Sequence, residues 1–97
     1  MIEKRYAIDP KTCKTFQSNQ LREAFLIQNI FQDNEVSFVY SHYDRLIIGG
    51  IKPVSGSVVL NTHDFLKADY FLQRREIGII NVGAKGTVKV DGQEFAL

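Results

Sequence analysis

The chain contains no tryptophan, one methionine, one cysteine and two prolines among its 97 residues. A lone thiol, Cys13, excludes an internal disulfide framework and fits a reducing compartment. Twelve Lys and Arg stand against eleven Asp and Glu, a formal charge of +1, so no long-range field favours a polyanion. General DNA or RNA binding is therefore set aside. No apolar run approaches the roughly 20 residues of a membrane-spanning helix, so no membrane association is expected. The opening MIEKRYAIDP holds two cations but lacks the apolar stretch of a secretion signal. Repeats, low-complexity tracts and linkers are also missing. These absences point to a cytoplasmic location.

What is present is ordinary for a folded domain. Hydrophobic residues make up 44% and charged residues 24% of the chain. Four tyrosines, seven phenylalanines and many Val and Ile residues supply enough apolar surface to offset ordering entropy. The length allows one small domain.

The pattern along the chain is mainly β. Residues 9–26 hold the best helical stretch, with Ser18 expected as N-cap of a helix over 19–25 and Leu21 and Phe25 on one face. Residues 26–31 read as a strand of mixed pattern. Residues 35–42 alternate, with Val36, Phe38, Tyr40 and His42 pointing one way. Asp44 marks a bend before a strand over 45–51, whose adjacent Gly49 and Gly50 suggest a bulge or barrel corner. Pro53 ends that run. Residues 57–60 form another expected strand, and 62–67 one helical turn capped by Thr62.

Residues 70–82 read as a strand covered on both faces, because Ile77, Ile79, Ile80 and Val82 leave little polar alternation. Residues 83–86 form a turn, residues 87–90 alternate strictly, and Asp91-Gly92 signals a tight hairpin returning through 93–97. The expected architecture is a β-sandwich or barrel. A barrel made of these strands lacks several partners and leaves open edges, so the chain reads as the opening piece of a longer polypeptide. Such a piece is expected to self-associate.

Chemistry is sparse. His42, His63 and Cys13 are the soft metal donors, far apart in sequence and without H-x-H or C-x-x-C spacing, so no metal ligand is assigned to this chain. His42, in YSHYDR, reads as a buried, hydrogen-bonded residue at a bend; an acid–base role with Asp44 is the competing reading. His63 reads as a surface or capping residue, and Cys13 as an inert thiol. There is no G-x-S-x-G elbow and no phosphate-binding loop. Arg74 and Glu76 are expected on one strand face and Arg75 on the other. Arg74, Arg75 and Arg45 then serve either in ion pairs with Asp44 or Asp69, or in bidentate recognition of a substrate carboxylate.

The string EIGIINVG followed by GTVKVDG resembles the later half of the first cupin motif, although the stretch before it has no histidine pair. VYSHYDRLIIGGIKPV (residues 39–54), YFLQRREIGIINVGAKGTVKVDGQ (residues 70–93) and LREAFLI (residues 21–27) together resemble the N-terminal region of the 5-keto-4-deoxyuronate isomerase family. The likeness runs from about residue 21 to the last residue. It is loose over 1–19 and 55–67.

That resemblance implies a cupin-like barrel or jelly roll with one or two short helices, the metal-free first barrel of a two-barrel chain. It further implies a zinc-dependent ketol-isomerase that converts 5-dehydro-4-deoxy-D-glucuronate to 3-deoxy-D-glycero-2,5-hexodiulosonate in pectin and uronate breakdown. Family members are commonly homohexamers, and the zinc is held by three His and one Glu of the second barrel. None of those positions lies in this chain, so it carries no catalytic residue by this reading and is expected to be inactive alone. A non-catalytic sugar-acid-binding or assembly module is the alternative.

Overall fold

A computed structural model describes residues 2–97. These residues are mainly β, with five strands in two sheets, two short helices and one 3-10 turn among them. No closed barrel forms among the described residues. The backbone divides into two compact units, one ending at Leu60 and one spanning Asn61–Leu97.

In the first unit, strands β1 (Ile2–Arg5), β2 (Val36–Ser41) and β3 (Leu46–Ile51) form a sheet in the order β1-β2-β3. β1 runs parallel to β2, with Ile2 opposite Phe38 and Arg5 opposite Ser41. β2 and β3 are antiparallel, from Val36 opposite Ile51 to Ser41 opposite Leu46. The central strand has neighbours on both edges, and it carries the buried Phe38, Val39 and Ser41. Asp44 and Arg45 both adopt left-handed backbone in the turn that joins β2 to β3. Helices α1 (Pro10–Cys13) and α2 (Ser18–Phe25) occupy the crossover that a parallel pair requires.

Several expectations change here. Ser18 is the first residue of α2, and Gln17 is its N-cap; the Gln20 side chain accepts the Gln17 N–H at 2.8 Å, a bond that Ser18 cannot receive. Asp9 caps α1 instead, accepting the Thr12 N–H at 3.0 Å, with Pro10 set in the first turn. Residues 26–31 are not a strand, because Asn29 turns left-handed and the Ile30 carbonyl lies against β3 at Gly50. The paired glycines mark close approach rather than a bulge, since the β2–β3 register is unbroken through Gly49 and Gly50. A Cβ on Gly49 would strike the Phe38 ring, and one on Gly50 would lie 2.5 Å from the Ile30 carbonyl oxygen.

Past β3 the chain is held by Asn34. Its Oδ1 accepts the N–H groups of Val54 and Ser55 at 2.8 and 2.9 Å, and its own N–H donates to the Lys52 carbonyl at 2.7 Å. The strand expected over 57–60 is absent.

In the second unit, the expected helical turn is a shorter 3-10 turn, Asp64–Leu66, whose N-cap is His63 rather than Thr62. The Thr62 hydroxyl donates instead to the Ala68 carbonyl at 3.2 Å. The long strand expected over 70–82 is absent. Residues 71–74 form a turn, fixed by Gln73, whose Oε1 accepts the Asp69 N–H at 2.6 Å, and by Arg74, whose guanidinium donates to the Lys67 carbonyl. Such side-chain bonds offer the backbone an alternative to a ladder. The hairpin stands as expected: β4 (Thr87–Val90) pairs antiparallel with β5 (Gln93–Ala96) around Asp91 and Gly92. Both turn residues have positive φ, 49° and 81°, which this tight turn demands.

Candidate functional site around His42

The most organised set of chemistry-bearing side chains sits where β1 and β2 end side by side. Because Arg5 pairs with Ser41, the next residue of β2's exit, His42, falls beside the Arg5 carbonyl. That carbonyl accepts the His42 N–H at 2.9 Å and lies 2.9 Å from Nδ1. A carbonyl can only accept, so Nδ1 carries the proton that faces it, and in the neutral imidazole the lone pair is on Nε2. Tyr6 stacks on the imidazole with ring centroids 4.5 Å apart and planes 19° from parallel. Tyr40 meets the same ring edge-on at 5.0 Å.

A second aromatic pair braces the neighbouring turn. The Tyr43 hydroxyl accepts the Ile8 N–H at 2.9 Å and donates to the Ile8 carbonyl at 3.2 Å. The Phe25 ring, at the end of α2, lies 6.5 Å from the Tyr43 ring. Arg5 donates to Glu3 at 2.6 Å and to the Glu23 carbonyl of α2, fastening the helix to the edge strand.

His42 is thus hydrogen-bonded at the bend, as the sequence suggests, but it is exposed rather than buried. Asp44 does not orient it: among the described residues no hydrogen bond joins the two. The imidazole has a fixed tautomer and an open Nε2, which suits accepting a proton or a hydrogen bond, but it has no carboxylate partner to make it a dyad. Nothing in the local sequence pattern singles out Tyr6 and Tyr43. Their contacts depend on a parallel pairing between segments some 35 residues apart, which local pattern does not display.

Of the other sequence-selected residues, Arg45 and Cys13 belong to the first unit and His63, Arg74 and Arg75 to the second. Arg45 lies exposed in the β2–β3 turn, with left-handed backbone. Arg74 is exposed and Arg75 half-buried in the second unit, at and just beyond the turn over 71–74, so strand alternation does not set their directions. Arg74 donates to the Lys67 carbonyl in place of the ion pair with Asp69. His63 stands at the N-cap of the 3-10 turn, and the Cys13 thiol lies 3.5 Å from the Pro10 carbonyl at the end of α1. Asp9 is the titratable group whose environment clearly moves it: the Thr12 hydroxyl and then the Thr12 N–H hold its carboxyl below the ordinary value.

Among the described residues no three His, Cys, Asp or Glu side chains come close enough together to hold a metal ion. The donor set therefore does not fit a zinc site, which needs at least three convergent protein ligands. No helix among them is long and apolar enough to cross a membrane.

No family model matches the chain. Curated relatives do. The chain is 51% identical over 96 residues to a protein of Bacillus licheniformis named 4-deoxy-L-threo-5-hexosulose-uronate ketol-isomerase, a match covering 99% of this chain and 35% of that protein. Proteins of the same name from Halalkalibacterium halodurans and Bacillus subtilis are 48% and 46% identical, again over 99% of this chain and 35% of theirs. The chain thus spans about a third of the length of the curated relatives it matches.

Proposed function

Proceeding from homology to the N-terminal region of the 4-deoxy-L-threo-5-hexosulose-uronate ketol-isomerases, we propose that this chain is the N-terminal part of such an enzyme. Its substrate is 5-dehydro-4-deoxy-D-glucuronate and its product 3-deoxy-D-glycero-2,5-hexodiulosonate, within cytoplasmic uronate and pectin catabolism. The observation that carries the reading is identity of 51% maintained along 99% of the chain.

A ketol isomerisation moves hydrogen between adjacent carbons. It needs a group to polarise the carbonyl oxygen and a positioned base. One tautomer-fixed imidazole with no carboxylate partner does not supply both, so the reacting centre and its zinc belong to the portion of the enzyme outside these residues. The 97 residues themselves supply a cupin-like scaffold, a subunit surface for a homohexamer and cations for the substrate carboxylate. Arg45, Arg74 and Arg75 are the residues proposed for that last role, through guanidinium pairing with a carboxylate.

The test is an isomerase assay with zinc analysis, run on the native polypeptide that carries these residues and on the 97-residue chain. Turnover and one tightly held zinc in the former, with neither in the latter, is the expected result. Absence of turnover in the native polypeptide overturns the proposal. Stoichiometric zinc with turnover in the short chain overturns the placement of the centre.

A further inference from the structure

Residues 77–82 combine two features that do not usually coexist in a finished fold. The segment, Ile-Gly-Ile-Ile-Asn-Val, carries no charge and four β-branched side chains, the composition that fits a pleated, covered surface. Yet those side chains are in solvent: Ile80 is 88% and Val82 75% exposed, and Ile77 and Ile79 each lose little more than half their surface. The main chain is equally unsatisfied. Among the described residues, Ile77, Gly78, Ile79, Ile80 and Val82 make no backbone hydrogen bond, while strands β4 and β5 close by in sequence pair only with each other. Residues that are apolar on both faces and have every N–H and C=O free have the properties of a strand without its sheet.

We infer that residues 77–82 are a strand-addition segment that pairs with a sheet edge supplied by the remaining two-thirds of the polypeptide to which the curated relatives correspond. Length argues for that occupant: those relatives have about 65% of their sequence outside the matched region, and the match covers essentially all of this chain. A partner on the same polypeptide is present at high effective concentration, whereas a second copy must be recruited from dilute solution. Addition to a sheet edge satisfies the main-chain groups and buries the side chains in one step. Asn81 sets the end of the segment, because its side chain accepts the Gly83 N–H at 3.0 Å and donates to the Ala84 carbonyl at 2.9 Å, turning the chain away.

The inference rests on the reading of this chain as part of a longer polypeptide but not on its chemistry, so it is tested without an activity measurement. Fast exchange over 77–82 in a longer native polypeptide sinks the pairing alone. Amide hydrogen exchange is followed at residues 77–82 in the native polypeptide at two protein concentrations, with Gly86, in the following turn, as the exposed reference. Expected is slowing of exchange on the order of 100-fold, independent of concentration. Ile79→Pro, which removes a ladder donor, should abolish that protection while residues 36–51 remain protected. Three results overturn the inference: fast exchange over 77–82 in the native polypeptide, protection that grows with concentration and so marks a second copy, or a native product found by mass to hold only these 97 residues.

Discussion

The hydroxyl of Tyr43 grips both main-chain groups of Ile8, accepting from its N–H and donating to its carbonyl. One phenol oxygen thereby ties the turn after β2 to the segment after β1, 35 residues earlier. Tyr43→Phe keeps the ring beside Phe25 and removes only the oxygen. The expected loss is about 1 kcal/mol, the usual net worth of such bonds near solvent, read as a lower urea midpoint at unchanged slope. An unchanged midpoint would show that water serves Ile8 equally well.

Gly49 and Gly50 face different obstacles and should respond differently to a methyl group. At Gly50 the obstacle is the Ile30 carbonyl, which is backbone and cannot rotate away. At Gly49 it is the ring of buried Phe38, which has some freedom to shift. Gly50→Ala is expected to cost about 2–3 kcal/mol and Gly49→Ala about 1–2. Gly86→Ala, with nothing within 4 Å of the added carbon, should be near neutral. Denaturation midpoints falling in the order Gly50, Gly49, Gly86 check this; equal costs at all three would contradict it.

Local rules carried the parts of the fold whose partners are near in sequence. Alternation placed β2 within a residue at each end, and Asp91-Gly92 fixed the β4–β5 hairpin because two residues with positive φ determine the register outright. Helix α2 is visible from its apolar spacing, while its cap lies one residue before Ser18 because Gln20 reaches back to Gln17. The parallel β1–β2 pair was not legible, since a parallel neighbour sits across a crossover and leaves no turn signal. The ring cluster at His42 was hidden for the same reason. Residues 70–82 differ for another reason: their strand composition is real, but among the described residues they pair with neither sheet.

His42 separates structural from chemical importance. Replacing it with Gln removes the stack on Tyr6 and the edge contact with Tyr40, contacts worth about 0.5–1.5 kcal/mol. If the reacting centre lies outside this chain, His42→Gln in the native polypeptide lowers the thermal midpoint by a few degrees and leaves kcat and its pH profile unchanged. Loss of the profile's acidic limb without loss of stability would instead make the open Nε2 a catalytic base.

Asp9 gives the first unit a dependence on acid. Its carboxylate accepts from both the hydroxyl and the N–H of Thr12, which lowers its pKa in the folded chain below the unfolded value near 3.8. A depressed carboxylate contributes stability that is complete above the unfolded pKa and is lost as pH falls through the folded one. The capping bonds to α1 should therefore hold at neutral pH and fail only below about pH 4, where the protonated acid becomes a poorer acceptor. The Thr12 amide is the reporter, because its N–H faces the titrating oxygen. Its NMR chemical shift should titrate with a midpoint under 3.8, and Asp9→Asn should flatten that titration while retaining part of the cap. A Thr12 shift that stays flat through this range would place the carboxylate away from the helix start.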